Sequence, residues 1–110
     1  CKMADRGQIT GALLDGPLAF DLAISRAAAE AKAIRSAVAG DADILVVPDL
    51  MTGNMLAKQL IYLAGASTAG IVLGARVPIA LTSRSDGVFA RLVSCALARL
   101  LVHDLNKVPS

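Results

Sequence analysis

The sequence predicts an α/β fold, and three observations carry that expectation. Three apolar bursts, DILVVP at 43–48, AGIVLG at 69–74 and VPIALT at 77–82, each stop abruptly at Pro, Gly or polar residues. Segments with apolar residues at helical spacing stand before, between and after them. The connections run about two to six residues, the usual length in α/β units. An apolar run cut off by small and polar residues is the pattern of a buried parallel strand whose carboxyl end opens onto a crevice. Open α/β sheets take their ligands there.

The elements follow in order. CKMADRGQI at the start is a strand remnant or a disordered end. Residues 10–17 (TGALLDGP) read as a short strand running into a Gly-Pro turn. Residues 18–38 then carry Phe20, Ile24, Ala27, Ala31, Ile34 and Val38 near helical spacing, with Ser25, Arg26, Glu30, Lys32 and Arg35 elsewhere and Gly40 placed to stop the helix. Residues 43–48 are the first buried strand. Asp49 or Thr52 caps a helix over 53–63 that Gly65 ends. Strands at 69–74 and 77–82 follow, joined by a tight GAR connection. Ser85 or Asp86 caps a last helix over 87–103, with Val88, Leu92, Cys95 and Leu100 on its apolar face. The expected order is β-α-β-α-β-β-α.

Composition narrows the function classes. The 110 residues suffice for one modest core, are 55% hydrophobic and include no Trp, one Tyr and two Phe. A mean hydropathy of +0.62 is high for a free-standing domain, and suits a surface that expects a partner. Eleven Lys and Arg against nine Asp and Glu are scattered along the chain, so no basic patch for nucleic acid is expected. The 17-residue uncharged window at 59–75 holds three Gly and fits a helix–turn–strand better than a membrane span. Cys1 and Cys95 form no CxxC, so no zinc site or disulfide framework is expected and the cytoplasm is the default. With no initiator Met and no targeting pattern, the chain is expected to be a piece of a longer polypeptide.

Two strand ends carry the candidate chemistry. In PDLMTGN (48–54) a strand end meets a helix start, where backbone N–H groups favour an anion. Pro48 and Gly53 shape that turn, and Asp49, Thr52 and Asn54 offer side-chain hydrogen bonds or serve only as caps. Lys58 follows one turn after Asn54, either reaching a phosphate or solvated. In LTSRSD (81–86), Ser83, Ser85 and Asp86 are all competent caps. Arg84 beside the positive end of a helix dipole is unfavourable unless an anion sits between them. His103 suits the last turn of its helix, Cys95 reads as a small buried residue, and no metal-ligand set, P-loop, GxGxxG or GxSxG is present.

Four motifs, DGPLAFDLAIS, ADILVVPDLMTGNMLAKQL, AGIVLGARVPI and LTSRSD, together resemble the C-terminal part of the phosphate acetyl/butyryltransferase family. The butyryl-like branch is the nearest, including proteins that fuse a hydratase domain ahead of the transferase. The resemblance covers nearly all of this chain and about a third of the family's usual length.

It implies exchange of phosphate and CoA on an acyl group, acyl-CoA plus phosphate giving acyl phosphate plus CoA. It also implies a three-layer α/β/α architecture with a mostly parallel sheet, similar to isocitrate and isopropylmalate dehydrogenases. Residues 1–82 would belong to the C-terminal α/β domain, and 83–110 would return to a first domain. A cytoplasmic homodimer is implied, with CoA and phosphate as substrates and no permanently bound cofactor, metal, nucleic acid or membrane.

By the same resemblance Ser83 and Arg84 match the family's Ser-Arg pair, Arg84 neutralising phosphate and Ser83 hydrogen-bonding the thiol or oxyanion. The acetyl branch carries its candidate base seven residues after the Ser, where this chain has Ala90. Asp86, placed as in the butyryl-like branch, is then the candidate base. Met51 stands where that branch often has an acidic residue. Asp49, Thr52, Gly53, Asn54 and Lys58 complete the substrate-binding set. A 110-residue piece alone would be inactive. The alternative is a non-catalytic dimerisation or CoA/phosphate-binding module of the same fold, and a weaker one is an oxidoreductase of the related dehydrogenase fold.

Overall fold

A computed structural model describes residues 1–105, which divide into two compact units, Cys1–Pro48 and a second that begins at Asp49. Their elements are α1 (Lys2–Asp5), α2 (Phe20–Ile24), α3 (Arg26–Ala31), α4 (Leu50–Ala64), β1 (Ile71–Val72), β2 (Ile79–Ala80) and α5 (Val88–Leu105). The chain is α/β, mostly helical with one small sheet. The last five residues of the expected returning segment, 106–110, lie outside the described residues.

In the first unit the helix expected over 18–38 is broken. Ser25 takes an extended conformation, ends α2, and its hydroxyl accepts the Ala28 N–H at 3.3 Å to start α3. A serine that caps competes with helix continuation, and here the cap wins. Ala33, at φ +51, turns the chain after α3, and the Ser36 hydroxyl accepts from the N–H groups of Val38 and Ala39. Gly40 therefore ends no helix. Its N–H donates to the Leu22 carbonyl at 2.7 Å, and at φ +80 its Cα lies so close to Arg26 that a Cβ would stand 2.5 Å from the Arg26 Cα. That close approach seals a small core of Leu22, Ala29 and Ala39. Lys32 and Asp21 pair across α2 and α3 at 2.8 Å, both half-exposed.

Residues 10–17 form bends and coil where a short strand was expected, and so do 43–48, where a buried strand was expected. Ile44 and Val46 are 78% and 92% exposed. A parallel strand is stabilised by ladders on both edges and helices on both faces, and among the described residues no strand pairs with this segment.

In the second unit, α4 matches the expected helix and starts three residues earlier, because Asp49 and not Thr52 is its cap. Gly65 closes it in the left-handed conformation, as expected, at φ +66. The two strands at 71–72 and 79–80 pair antiparallel, Ile71 opposite Ala80 and Val72 opposite Ile79. This departs from a mostly parallel sheet for a geometric reason. Parallel neighbours need a crossover of a dozen or more residues, and a six-residue turn can only reverse the chain.

Helix α5 packs against both strands through a face unlike the one its apolar spacing suggested. Ser94 and Ala98 are buried, whereas Val88, Leu92, Leu100 and Cys95 are exposed. The Ser94 hydroxyl accepts the Gly70 N–H at 3.0 Å and donates to the Ala90 carbonyl at 2.7 Å. Small residues let the helix approach the hairpin, and the serine satisfies a backbone donor that would otherwise be orphaned. Ser94→Ala is expected to cost about 1 kcal/mol, the unpaired amide partly offset by alanine's better helix propensity. Thermal unfolding and faster Gly70 amide exchange would register it; unchanged exchange would show that the hydroxyl does not hold that amide.

The chain buries little apolar surface. It exposes 9026 Å², whereas two separate compact bodies sharing its 11.3 kDa would expose about 7,000 Å². Helix α4 contributes strongly, since none of its residues is buried and Leu50, Leu63 and Met51 are 85%, 83% and 72% exposed. No helix among the described residues is long and apolar enough to cross a membrane.

Candidate functional site

The amino end of α4 is held by its own sequence. Asp49 is extended, and its carboxylate accepts the Thr52 N–H at 2.7 Å. That bond holds the Asp49 carboxyl below the usual carboxylate range, with the Thr52 hydroxyl adding to it. A depressed native value means the cap is fully formed above the unfolded value near 4 and is lost as pH falls through the lower native one. Amide protection at Thr52 and Gly53, measured against the intrinsic exchange rate at each pH, is therefore expected to fall below about pH 4 in the parent and to be unchanged there in Asp49→Ser. Equal loss of protection in both would remove the carboxylate as cause. Thr52 and Asn54 are exposed, Gly53 is half-buried, and the Asn54 side chain has no hydrogen bond among the described residues.

Lys58 departs from this group. It lies nine residues beyond Asp49, about 14 Å along the axis, and meets the second motif instead. Its Nζ stands 3.5 Å from the Ser85 Oγ and 5.8 Å from the centroid of Tyr62, one turn further on. Lys58, Tyr62, Thr68, Ser85, Asp86 and Phe89 are among the residues lining a cleft of about 280 Å³. That is just below the range of roughly 300–1,000 Å³ common for small-molecule sites.

The 83–86 loop is braced from within. Asp86 Oδ2 accepts the Ser83 N–H at 2.6 Å, and the Asp86 N–H returns to the Ser83 carbonyl at 3.1 Å. Ser83 Oγ lies 3.1 Å from Ser85 Oγ and accepts the Ser85 N–H at 3.4 Å. The Asp86 carbonyl takes the Arg91 Nε–H at 3.2 Å. Arg84 is exposed, and among the described residues it makes no ion pair or hydrogen bond. An unneutralised guanidinium, an ammonium and two hydroxyls beside the amino end of α5 make a setting for an anion.

The structure thus joins Lys58 to Ser83, Ser85 and Asp86, and leaves Asp49, Thr52, Gly53 and Asn54 as a separate group at the start of α4. Sequence reading missed the contact of Ser85 with Lys58, which links residues 27 apart. It also missed Tyr62, although the four-residue spacing from Lys58 was visible. His103 is exposed, 3.8 Å from Asp104. No group of three or more His, Cys, Asp or Glu among the described residues is arranged to hold a metal. A second, apolar groove of about 490 Å³ lies along 72–78 and the end of α5 and contains none of the candidate residues.

Comparison with known proteins agrees with the motifs. Residues 1–98 match the family model described as phosphate acetyl/butaryl transferase. The chain is 70% identical to a phosphate acetyltransferase of Rickettsia felis over 91% of its own length and 29% of that protein's. It is 55% identical to a probable phosphate butyryltransferase of Bacillus subtilis over 88% of its length and 32% of that protein's. The crystal structure of a branched-chain phosphotransacylase from Enterococcus faecalis V583 superposes with a TM-score of 0.69 at 42% identity, covering 80% of this chain and 33% of that one. The chain therefore spans about a third of the length of the relatives it matches. With nearly all of its residues inside the family match, the chain belongs to the phosphate acetyl/butyryltransferase family.

Proposed function

We propose that this chain is the carboxyl-terminal segment of a phosphate acyltransferase, which converts acyl-CoA and phosphate to acyl phosphate and CoA. The observation that supports it above others is the cleft lined by Lys58, Ser85 and Asp86, the last two hydrogen-bonded to Ser83 in a loop whose Arg84 is unpaired among the described residues.

In this reading a phosphate oxygen attacks the thioester carbonyl, the carbon–sulfur bond breaks, and the CoA thiolate leaves and takes up a proton. Arg84 and Lys58 neutralise the phosphate, Ser83 donates to the carbonyl oxygen as charge builds there, and Asp86 exchanges the thiol proton. Asp49, Thr52, Gly53 and Asn54, about 6–14 Å from Lys58 along α4, contact the remoter part of CoA, whose thiol and phosphates are far apart. Substrates are CoA, its acyl ester and phosphate, with no permanently bound cofactor, metal, nucleic acid or membrane.

The wider architecture belongs to the same proposal. Residues 1–82 form part of a three-layer α/β/α domain with a mostly parallel sheet, and the exposed 43–48 segment gains strand neighbours from the rest of the polypeptide. The segment from 83 onward returns to another domain, and the enzyme is a cytoplasmic homodimer. The exposed apolar surface of α4 supports burial in such an assembly.

The test is phosphate-dependent release of CoA by the full-length polypeptide carrying this segment, with acetyl-, propionyl- and butyryl-CoA. Release with at least one acyl group is expected, and none from the 110-residue chain alone. Full-length protein inactive with all three would leave the non-catalytic module as the better reading.

A further inference from the structure

The hydrogen bonds around Ser83 fix which way its hydroxyl proton points. Lys58 carries an ammonium, which can only donate. With its Nζ 3.5 Å from Ser85 Oγ, it occupies a lone pair there. The Ser85 proton is then directed to its other neighbour, Ser83 Oγ at 3.1 Å. Ser83 Oγ also accepts the Ser85 N–H at 3.4 Å. A serine oxygen has two lone pairs and one proton. With both lone pairs filled from Ser85, the proton of Ser83 is left to point away from the loop. The nearest carboxylate does not reverse this polarity, because Asp86 accepts from the Ser83 backbone N–H, and no hydrogen bond joins it to the Ser83 hydroxyl.

We propose that Ser85 is a positioning residue that, oriented by Lys58, holds Ser83 as a hydrogen-bond donor to an oxyanion. The proposal rests on the acyltransferase reading and narrows it. It gives Ser83 the donor side of its bond to the carbonyl oxygen, so that hydroxyl does not accept the thiol proton, and it excludes Ser83 as a nucleophile because nothing takes its proton.

The test uses the full-length polypeptide and steady-state rates of CoA release. Ser85→Ala is expected to lower kcat three- to ten-fold, the effect of one neutral hydrogen bond, with KM for phosphate within two-fold of the parent. Ser85→Thr keeps the hydroxyl and restores most of the rate. Lys58→Gln in the Ser83→Ala background loses less than in the parent, since the chain of donors then ends on nothing. Ser83→Ala with Ser85→Ala falls no further than Ser83→Ala alone.

Fully multiplicative losses in that double variant, or parental kcat in Ser85→Ala, overturn the role of Ser85 while leaving the acyltransferase reading intact. A parent with no phosphate-dependent release removes both. Should Ser85→Ala fail to fold, Ser85→Cys, which keeps the size but donates weakly, carries the same comparison.

Discussion

Replacing Arg84 by alanine in the full-length polypeptide is expected to lower kcat/KM for phosphate about 30- to 100-fold. A charge-assisted hydrogen bond to an anion contributes roughly 2–3 kcal/mol, and each 1.4 kcal/mol is a factor of ten. The side chain has nothing else to do, since it is exposed and unpaired among the described residues. Removing it breaks no internal contact, so folding is expected to be unaffected. Arg84→Lys keeps the charge and loses the bidentate fork, and is expected to recover only part of the loss. Initial rates over a range of phosphate concentrations check this; unchanged kinetics in Arg84→Ala would take Arg84 out of the site.

Gly70→Ala is expected to destabilise the second unit by about 3–4 kcal/mol, combining overpacking with two weakened hydrogen bonds. A Cβ on Gly70 would be driven into the Leu81 carbonyl oxygen and lie 3.4 Å from the Leu81 carbonyl carbon. Those atoms are backbone and cannot swing aside. Relief requires the hairpin to open, which strains the Leu81 N–H to Gly70 carbonyl bond of 2.8 Å and the Gly70 N–H to Ser94 bond of 3.0 Å. Because β2 leads directly into residues 83–86, activity should fall together with stability. A fall in the thermal midpoint of about 12–30 °C is the expected reading; a midpoint within 2 °C of the parent would mean that the close approach of Gly70 to Leu81 does not exist in solution.

The legible parts of the fold were those written into local chemistry. Asp49 and Gly65 bound α4 because a carboxylate at the cap and a left-handed glycine at the end are local requirements. The last helix was visible for the same reason, from a long apolar-periodic stretch after LTSRSD. What failed was everything that depends on neighbours. DILVVP reads as a buried strand, yet burial is supplied by other strands, and none pairs with it among the described residues. The apolar stripe of α5 was found correctly as a pattern, but the face that packs is the small one, Ser94 and Ala98. Residues 18–38 broke at Ser25 because one hydroxyl outcompeted a helix turn, a contest that spacing does not register.

The candidate site divides in the same way. Ser83, Arg84 and Asp86 stand together because they are adjacent in sequence. That Lys58 joins them, and not Asn54 and Thr52, is a tertiary fact: it depends on where the loop after β2 lies against α4. The sequence therefore named candidate residues that the structure divides between two groups, with Lys58 in the second.

The product decides whether that grouping serves acyl transfer. Phosphorus-31 NMR of the full-length polypeptide with acyl-CoA and phosphate is expected to show acyl phosphate appearing mole for mole with free CoA, and Arg84→Ala is expected to slow both signals equally. CoA released without acyl phosphate, or at a rate independent of phosphate, would contradict the assignment of this cleft to phosphate acyl transfer.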